Sequence, residues 1–289
     1  AMGYSVKKQD FSFNHRKVKR SSSNYEVNIQ GKTSETIVIA AHYDAVASVS
    51  GSTGFADNAS GVATLLQLAD NLKQQSLYYS VKLIFFGAEE MGLQGSKHYA
   101  KTLSTKPNFI AMINLDTVIG GDQLYIHSAH SKPYSCKYLE QSSYSYDTSA
   151  RDALFAQASK SELNKLYLKH PDTKDYPAGE TGSWSDHSPF ACLGVPIAYI
   201  EATNFNINGK NGYDGYSQSV NPDLWTCFDK KNLTACDRKK EKGWGQIWHT
   251  KFDQQSALMP ALESQIRQQF FANIQLLTEF IKSADVNTL

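Results

Sequence analysis

The sequence predicts an α/β fold: a single globular domain built on a twisted, mixed but mostly parallel sheet, flanked by helices on both faces. Three observations carry this expectation. Short, continuous apolar runs at Thr36–Ala41, Val81–Phe86, Phe109–Leu115 and Pro196–Ile200 are too brief for helices and suit buried strands. Between them apolar residues return at helical spacing. Strand and helix therefore alternate, the order expected of a sheet covered on both sides. At 289 residues the chain can bury one large core.

Taken in order, residues 1–24 are polar and basic and are expected to form a loose arm ahead of a domain spanning 25–289. Tyr25–Ile29 alternates as a strand does, and Gly31-Lys32 turns. This predicts a hairpin or a neighbouring pair of strands leading into Thr36–Ala41. A Gly/Ser-rich loop, Ala47–Gly54, precedes a helix over 61–74 marked by Val62, Leu65, Leu66, Ala69 and Leu72. Asp57, Asn58 and Ser60 sit where helix caps belong. Gly87 allows a sharp turn after Val81–Phe86, and a helix is expected over Gln94–Leu103. Phe109–Leu115 and a short strand at Gln123–His127 follow. The pattern weakens over an insertion at about 128–182, where one helix is expected around Asp152–Leu166. A second insertion, 203–246, is rich in Gly, Asn and Tyr. Leu262, Ile266, Phe270, Ile274, Leu277 and Ile281 mark a long closing helix.

Hydrophobic content of 41% and charged content of 20% fit a folded globule. A net charge of +1 supplies no basic field for nucleic acid, and no nucleic-acid-binding motif is present. No run of eighteen apolar residues exists to span a membrane. Ala1-Met2-Gly3 places Met second, as a remnant of recombinant expression would, so any signal peptide is expected to have been removed. The four cysteines, Cys136, Cys192, Cys227 and Cys236, show no C-x-x-C spacing. Cys227 and Cys236 bracket a polar loop whose closure would contribute about 2.5–3 kcal/mol. Cys192 suits a disulfide or a buried free thiol equally. The even count fits a secreted or periplasmic protein.

Polar residues gather just past the predicted strands: His42 and Asp44 after the first, Glu89 and Glu90 after Val81–Phe86, Asp116 after Phe109–Leu115. In open α/β sheets that edge binds ligands. With Asp57 and His249 added, the set offers oxygen and imidazole donors without cysteine, which suits zinc ahead of manganese or cobalt. Two metals about 3.5–4 Å apart need a bridging carboxylate, and Asp57 is on a loop facing the strand ends. Side chains of adjacent residues point different ways. Glu89 and Glu90 therefore suit different tasks, one binding a cation and one handling protons.

His42-Tyr43-Asp44, Phe55-Ala56-Asp57-Asn58-Ala59-Ser60-Gly61, Gly87-Ala88-Glu89-Glu90-Met91-Gly92, Asn114-Leu115-Asp116 and Trp248-His249-Thr250 together resemble the motifs of the M28 family of zinc aminopeptidases. Their order and spacing cover roughly residues 36–281. Ser185-Asp186-His187-Ser188-Pro189-Phe190 further resembles the bacterial alkaline phosphatase isozyme-conversion branch. The resemblance implies a zinc-peptidase-like fold and removal of the first residue of peptides or proteins with a free N-terminus, by a water activated between two zinc ions. His42 and Asp116 would hold one zinc, Glu90 and His249 the other, and Asp57 would bridge them. Glu89 would be the general base, passing the proton to the leaving amine. Asp44 would accept the second imidazole N–H of His42 and fix the ring. Asp186 and His187 would position substrate, and a monomer is expected.

Some members carry Tyr just before the last histidine ligand, where its phenol stabilises the oxyanion. Here that position is Trp248, an N–H donor only, which leaves the oxyanion to His187 or a tyrosine of the insertions. Glu201, with Asp186, would favour Arg or Lys as the first residue; the competing reading has Glu201 binding backbone groups only. Glutaminyl cyclases resemble the same fold, use one zinc and share Trp-His-Thr. Against them, Phe55–Gly61 and Glu89–Ser96 have the peptidase form. A non-catalytic module would have lost a ligand or the base, and none is missing.

Overall fold

The computed structural model describes residues 3–46, 51–103 and 108–289. Ala1-Met2 and residues 47–50 of the Gly/Ser-rich loop therefore lie outside the described residues. The strands are β1 (Val6–His15), β2 (Val18–Ile29), β3 (Thr36–His42), β4 (Ser80–Phe86), β5 (Phe109–Leu115), β6 (Gln123–Ala129), β7 (Tyr167–Leu168), β8 (Glu180–Thr181), β9 (Ile197–Thr203), β10 (Phe228–Asp229) and β11 (Thr234–Ala235). The helices are α1 (Ser60–Asn71), α2 (Gln94–Thr102), α3 (Ser149–Ala158), α4 (His187–Ala191) and α5 (Gln255–Ser283). The main sheet runs β1-β2-β4-β3-β5-β9-β6-β7, with β8 also beside β6. Its centre, β4-β3-β5-β9, is parallel. The expected mixed, mostly parallel sheet is present.

Alternation along β3 shows how the two layers form. Ile37, Ile39 and Ala41 pack with Leu65 and Leu68 of α1, Leu154 of α3 and Leu276 and Phe280 of α5. Val38 and Ala40 pack on the other face with Tyr99 of α2 and Phe190 of α4. Successive strand side chains point to opposite faces, so a strand covered twice must be apolar throughout. Each fully buried Leu, Ile or Phe contributes roughly 1.5–3 kcal/mol, which anchors the strand ends that carry the site.

Three sequence expectations change. Residues 1–24 do not form a loose arm: β1 and β2 are an antiparallel hairpin, in register from Val6↔Val27 to His15↔Val18. Its exposed face is Lys- and Ser-rich, which hides the strand pattern. Its inner face is tied by buried Asn24, whose amide donates to Gly95 O at 2.9 Å and to Gln9 Oε1 at 2.8 Å. Tyr25–Ile29 and Thr36–Ala41 are not neighbours either. β4 lies between them, antiparallel to β2 and parallel to β3. The connection is held to the approach to β4, with Lys32 N–H donating to Leu77 O and Thr33 N–H to Tyr78 O. Finally, the helix expected over Asp152–Leu166 stops at Ala158. A separate 3₁₀ turn, Glu162–Lys165, leads into β7, so part of the weakly patterned 128–182 segment widens the sheet. Cys192 is not a free thiol: it pairs with Cys136, as Cys227 does with Cys236. Among the described residues, no helix is long and apolar enough to cross a membrane.

Candidate active site

The parallel strands β3, β4 and β5 deliver their polar residues to one edge. His42 ends β3, Glu89 and Glu90 follow β4, and Asp116 follows β5. The turn after β4 departs from expectation in one detail. Ala88, not Gly87, adopts positive φ, at 59°. Gly87 is needed for space: a Cβ there would sit 2.6 Å from Ser23 O.

Two clusters form, and Asp57 belongs to both. His42, Asp57 and Asp116 bring ligand-type atoms within 4.8 Å of one another, as do Asp57, Glu90 and His249. Asp57 Oδ1 lies 3.1 Å from His42 Nε2, and Asp57 Oδ2 lies 3.3 Å from His249 Nε2. Asp116 Oδ1 is 3.3 Å from His42 Nε2, and Glu90 Oε2 is 2.8 Å from His249 Nε2. The structure thus gathers all five expected ligands, with Glu89 buried beside them.

The chemistry of this set fits divalent cations. His42 Nδ1 lies 3.0 Å from Asp44 O. A carbonyl only accepts, so Nδ1 carries the hydrogen and Nε2 can offer its lone pair to the cluster. Glu90 Oε1 is buried and has no hydrogen-bond partner among the described residues. Burial opposes charge on His249, yet Asp57 and Glu90 push its pKa up to about 10. Burial likewise opposes charge on His42, and Glu89 and Asp116 raise its pKa well above the usual value. Burial also drives Glu89 well above the carboxylate range. Crowded carboxylates that draw protons onto imidazoles can be neutralised instead by metal ions bound through those imidazoles.

Asp44 works differently from expectation. Its carbonyl, rather than its carboxylate, meets the His42 ring closely; the carboxylate is 3.7 Å away. The carboxylate instead accepts the Glu89 N–H at 3.0 Å and the Glu90 N–H at 3.1 Å. One residue therefore aligns the end of β3 with the turn after β4.

Asp186 and His187 are fully buried and do not line the cavity. Entering α4 turns both side chains into the protein. His187 Nε2 is 2.8 Å from Gly182 O, its ring stacks on Tyr199, and burial lowers its pKa to about 4. Burial raises Asp186 to about 7 against the pull of His42. Their neighbour Ser185 accepts from Asn114 Nδ2 and donates to Asp116 Oδ2, both at 2.7 Å, which leaves Asp116 Oδ1 for the cluster.

A cavity of about 490 Å³ opens over the two clusters. Glu201 and Trp248 line it as expected, joined by Lys97, Trp184, Asp214 and Tyr216. Glu201 is held from behind, with His127 Nε2 2.8 Å from Oε1 and Tyr199 OH donating to Oε2 at 3.1 Å. Trp248 stands edge-on to the His249 ring and 5.2 Å from Tyr216.

Sequence reasoning singled out neither Asp253 nor Gln218 and read Asn58 as a helix cap only, yet these three hold the candidate ligands in place. Asp253 Oδ1 accepts the Ala56 N–H at 2.6 Å and the Asp57 N–H at 3.4 Å, and Oδ2 accepts the Ser52 hydroxyl at 2.7 Å. It ties the Asp57 loop to the segment after His249. Asn58 donates to Leu115 O and accepts from Gly61 N–H and Thr117 N–H, so it caps α1 and locks that loop to the end of β5. Gln218 Oε1 accepts the Ile247 and Trp248 amides at 2.8 and 2.9 Å. The available signal was an Asp four residues after His249, at the start of a helix.

The chain is 32% identical over 198 residues to the alkaline phosphatase isozyme conversion protein of Escherichia coli, covering 64% of this chain and 54% of that protein. The chain thus spans about half the length of that relative. Its fold is similar to a zinc aminopeptidase from Bacillus subtilis (TM-score 0.60, 21% identity, 93% of this chain and 52% of that one). It is also similar to the glutaminyl cyclase of Porphyromonas gingivalis (TM-score 0.62, 18% identity, 97% and 83%). The model of peptidase family M28 matches residues 24–274, and the chain belongs to that family.

Proposed function

We propose that the protein is a zinc aminopeptidase that removes the first residue from peptides or proteins with a free N-terminus. The observation that carries this reading is the pair of ligand clusters sharing Asp57 on the floor of one cavity, with Glu89 beside them. His42 and Asp116 would hold one zinc, Glu90 and His249 the other, and Asp57 both. Bound there, the ions would polarise the scissile carbonyl and make water more acidic. Glu89, kept from solvent and raised in pKa by burial, accepts a proton from the attacking water and returns it to the leaving amine. Asp44 fixes the Glu89 backbone for that transfer. Glu90, Asp57 and Glu201 present negative charge to the substrate's α-ammonium group. Tyr216, beside Trp248, is placed to donate to the oxyanion in the role that His187 is too buried to fill. Glu201 and Asp214 favour Arg or Lys as first residue. The two disulfides support an oxidising compartment, secreted or periplasmic, and a monomer suffices because one chain completes the site.

The rival is a single-zinc glutaminyl cyclase, favoured by Trp248-His249-Thr250. It leaves the cluster of His42 and Asp116 without a ligand to hold. Metal analysis of the purified protein with a panel of Arg-, Lys-, Leu-, Phe- and Glu-anilides, with and without chelator, separates the two. Two zinc ions and chelator-sensitive anilide hydrolysis are expected. One zinc with cyclisation of N-terminal glutamine would overturn the proposal, and a Leu preference would remove the basic pocket from it.

A further inference from the structure

Lys97 is the cavity's unused cation. It stands on the first turn of α2, on the same stretch of chain as Glu89 and Glu90. Among the described residues that line the cavity it is the only Lys or Arg, where Asp57, Glu89, Glu90, Asp116, Glu201 and Asp214 supply carboxylates. Even so, no carboxylate among the described residues comes within 4.0 Å of its ammonium. Glu89 and Asp186 are near enough to act on its charge but not to pair with it. The ammonium donates to Gly92 O at 2.9 Å and lies 5.4 Å from the Tyr138 ring. It has three hydrogens to donate, and one is spoken for. A half-buried ammonium in an acidic cavity, unpaired, is a site for an anion that arrives with the substrate.

The direction of the reaction says which anion. Glu89 hands its proton to the leaving amine, so the nitrogen of the second residue sits at Glu89. Gly92, Leu93 and Lys97 line the same cavity as Glu89, and Lys97 is near enough to feel its charge, so the next atoms of that residue have this wall within reach. In a long peptide the group two bonds beyond that nitrogen is a neutral amide; in a dipeptide it is a free carboxylate. We infer that Lys97 binds a carboxylate carried by the residue behind the scissile bond, so that the enzyme prefers dipeptides over the same sequence with its end blocked. This rests on the aminopeptidase reading. An acidic side chain on the second residue offers the same chemistry. The purely structural role for Lys97 is to fix the turn before α2 through Gly92 O.

The test compares kcat/KM of the zinc-loaded enzyme for Arg-Gly, Arg-Gly-amide and Arg-Glu-amide, in the wild type, K97Q and K97R. A charge-assisted contact is expected to favour Arg-Gly over Arg-Gly-amide roughly tenfold, chiefly through KM and less so at high salt. The ratio should fall to near one in K97Q and persist in K97R, which a turn-fixing role would not produce. A Lys97-dependent gain for Arg-Glu-amide instead of Arg-Gly assigns the carboxylate to the side chain. A wild-type ratio near one for both sources overturns the inference, as does a ratio that K97Q leaves unchanged. Failure of the wild type to cleave any of the three, or the anilides, overturns the aminopeptidase reading and takes this inference with it.

Discussion

Asp253→Ala isolates the support of the proposed metal site from the site itself. Asp253 is wholly buried and, among the described residues, its carboxylate makes no hydrogen bond to a candidate ligand side chain; it holds the Asp57 loop through the Ala56 and Asp57 amides. Truncation leaves both N–H groups buried. A stranded donor costs about 1–3 kcal/mol, and the 3.4 Å bond is the weaker of the two, so the total is roughly 2–4 kcal/mol. At about 2–4 °C per kcal/mol for a chain of this size, the metal-free protein should melt about 4–16 °C lower. Freed of its tie, Asp57 should also hold metal more weakly, by about 10–100-fold. Asp253→Asn keeps an acceptor for the Ala56 amide and should lose less than half as much on both measures. Urea denaturation of the metal-free protein gives the first quantity and zinc competition against a chromophoric chelator the second. The reasoning fails if Asp253→Ala binds zinc within twofold of the wild type while losing stability as calculated, because the loop would then hold Asp57 without this tie.

Three further outcomes follow from named contacts. Glu89→Gln should lower kcat about 10²–10⁴-fold with zinc content unchanged, measured on an anilide together with metal analysis; loss of zinc would make Glu89 a ligand. Burial works against the charge on Glu26, but Lys82 at 2.8 Å and Tyr99 at 2.6 Å win and lower its pKa. Its stabilising contribution is therefore complete above the unfolded-state pKa and lost as pH falls through the lower folded-state value. Glu26→Gln should cost about 2 kcal/mol at pH 7 and much less near pH 2, read from urea midpoints. Removing Cys136–Cys192, which spans 56 residues, should destabilise by about 4 kcal/mol. Removing Cys227–Cys236, which spans 9, should cost about 2.5–3 kcal/mol. Paired Cys→Ser variants in denaturant give that order, and the reverse order would show that chain entropy does not dominate.

Three of the five candidate ligands were legible because each ends or follows an apolar run. His42 after Ile37–Ala41, Glu90 after Val81–Phe86 and Asp116 after Phe109–Leu115 are polar residues where hydrophobic patterning stops. Their supports were not, since Asn58, Gln218 and Asp253 look like loop or cap residues until the chain segments they join are brought together. Asp186 and His187 misled for a different reason. Their expected role came from the resemblance of the segment alone, and the start of α4 turns them into the core. The β1–β2 hairpin was hidden because a strand exposed on one face can carry Ser and Lys there, and its pairing with β4 is fixed by a distant part of the chain.

The origin of the cavity walls separates two properties. The candidate ligands and base arrive on strand ends fixed by the core and on loops tied down by Asn58 and Asp253. Trp184, Asp214 and Tyr216 come from the long segments between those elements, and the second of these is held by Gln218 and closed by its own disulfide. Rebuilding those segments would leave the charge arrangement on the floor intact. Substrate range and chemical competence can therefore diverge independently, and the rim is the natural place to redirect this enzyme.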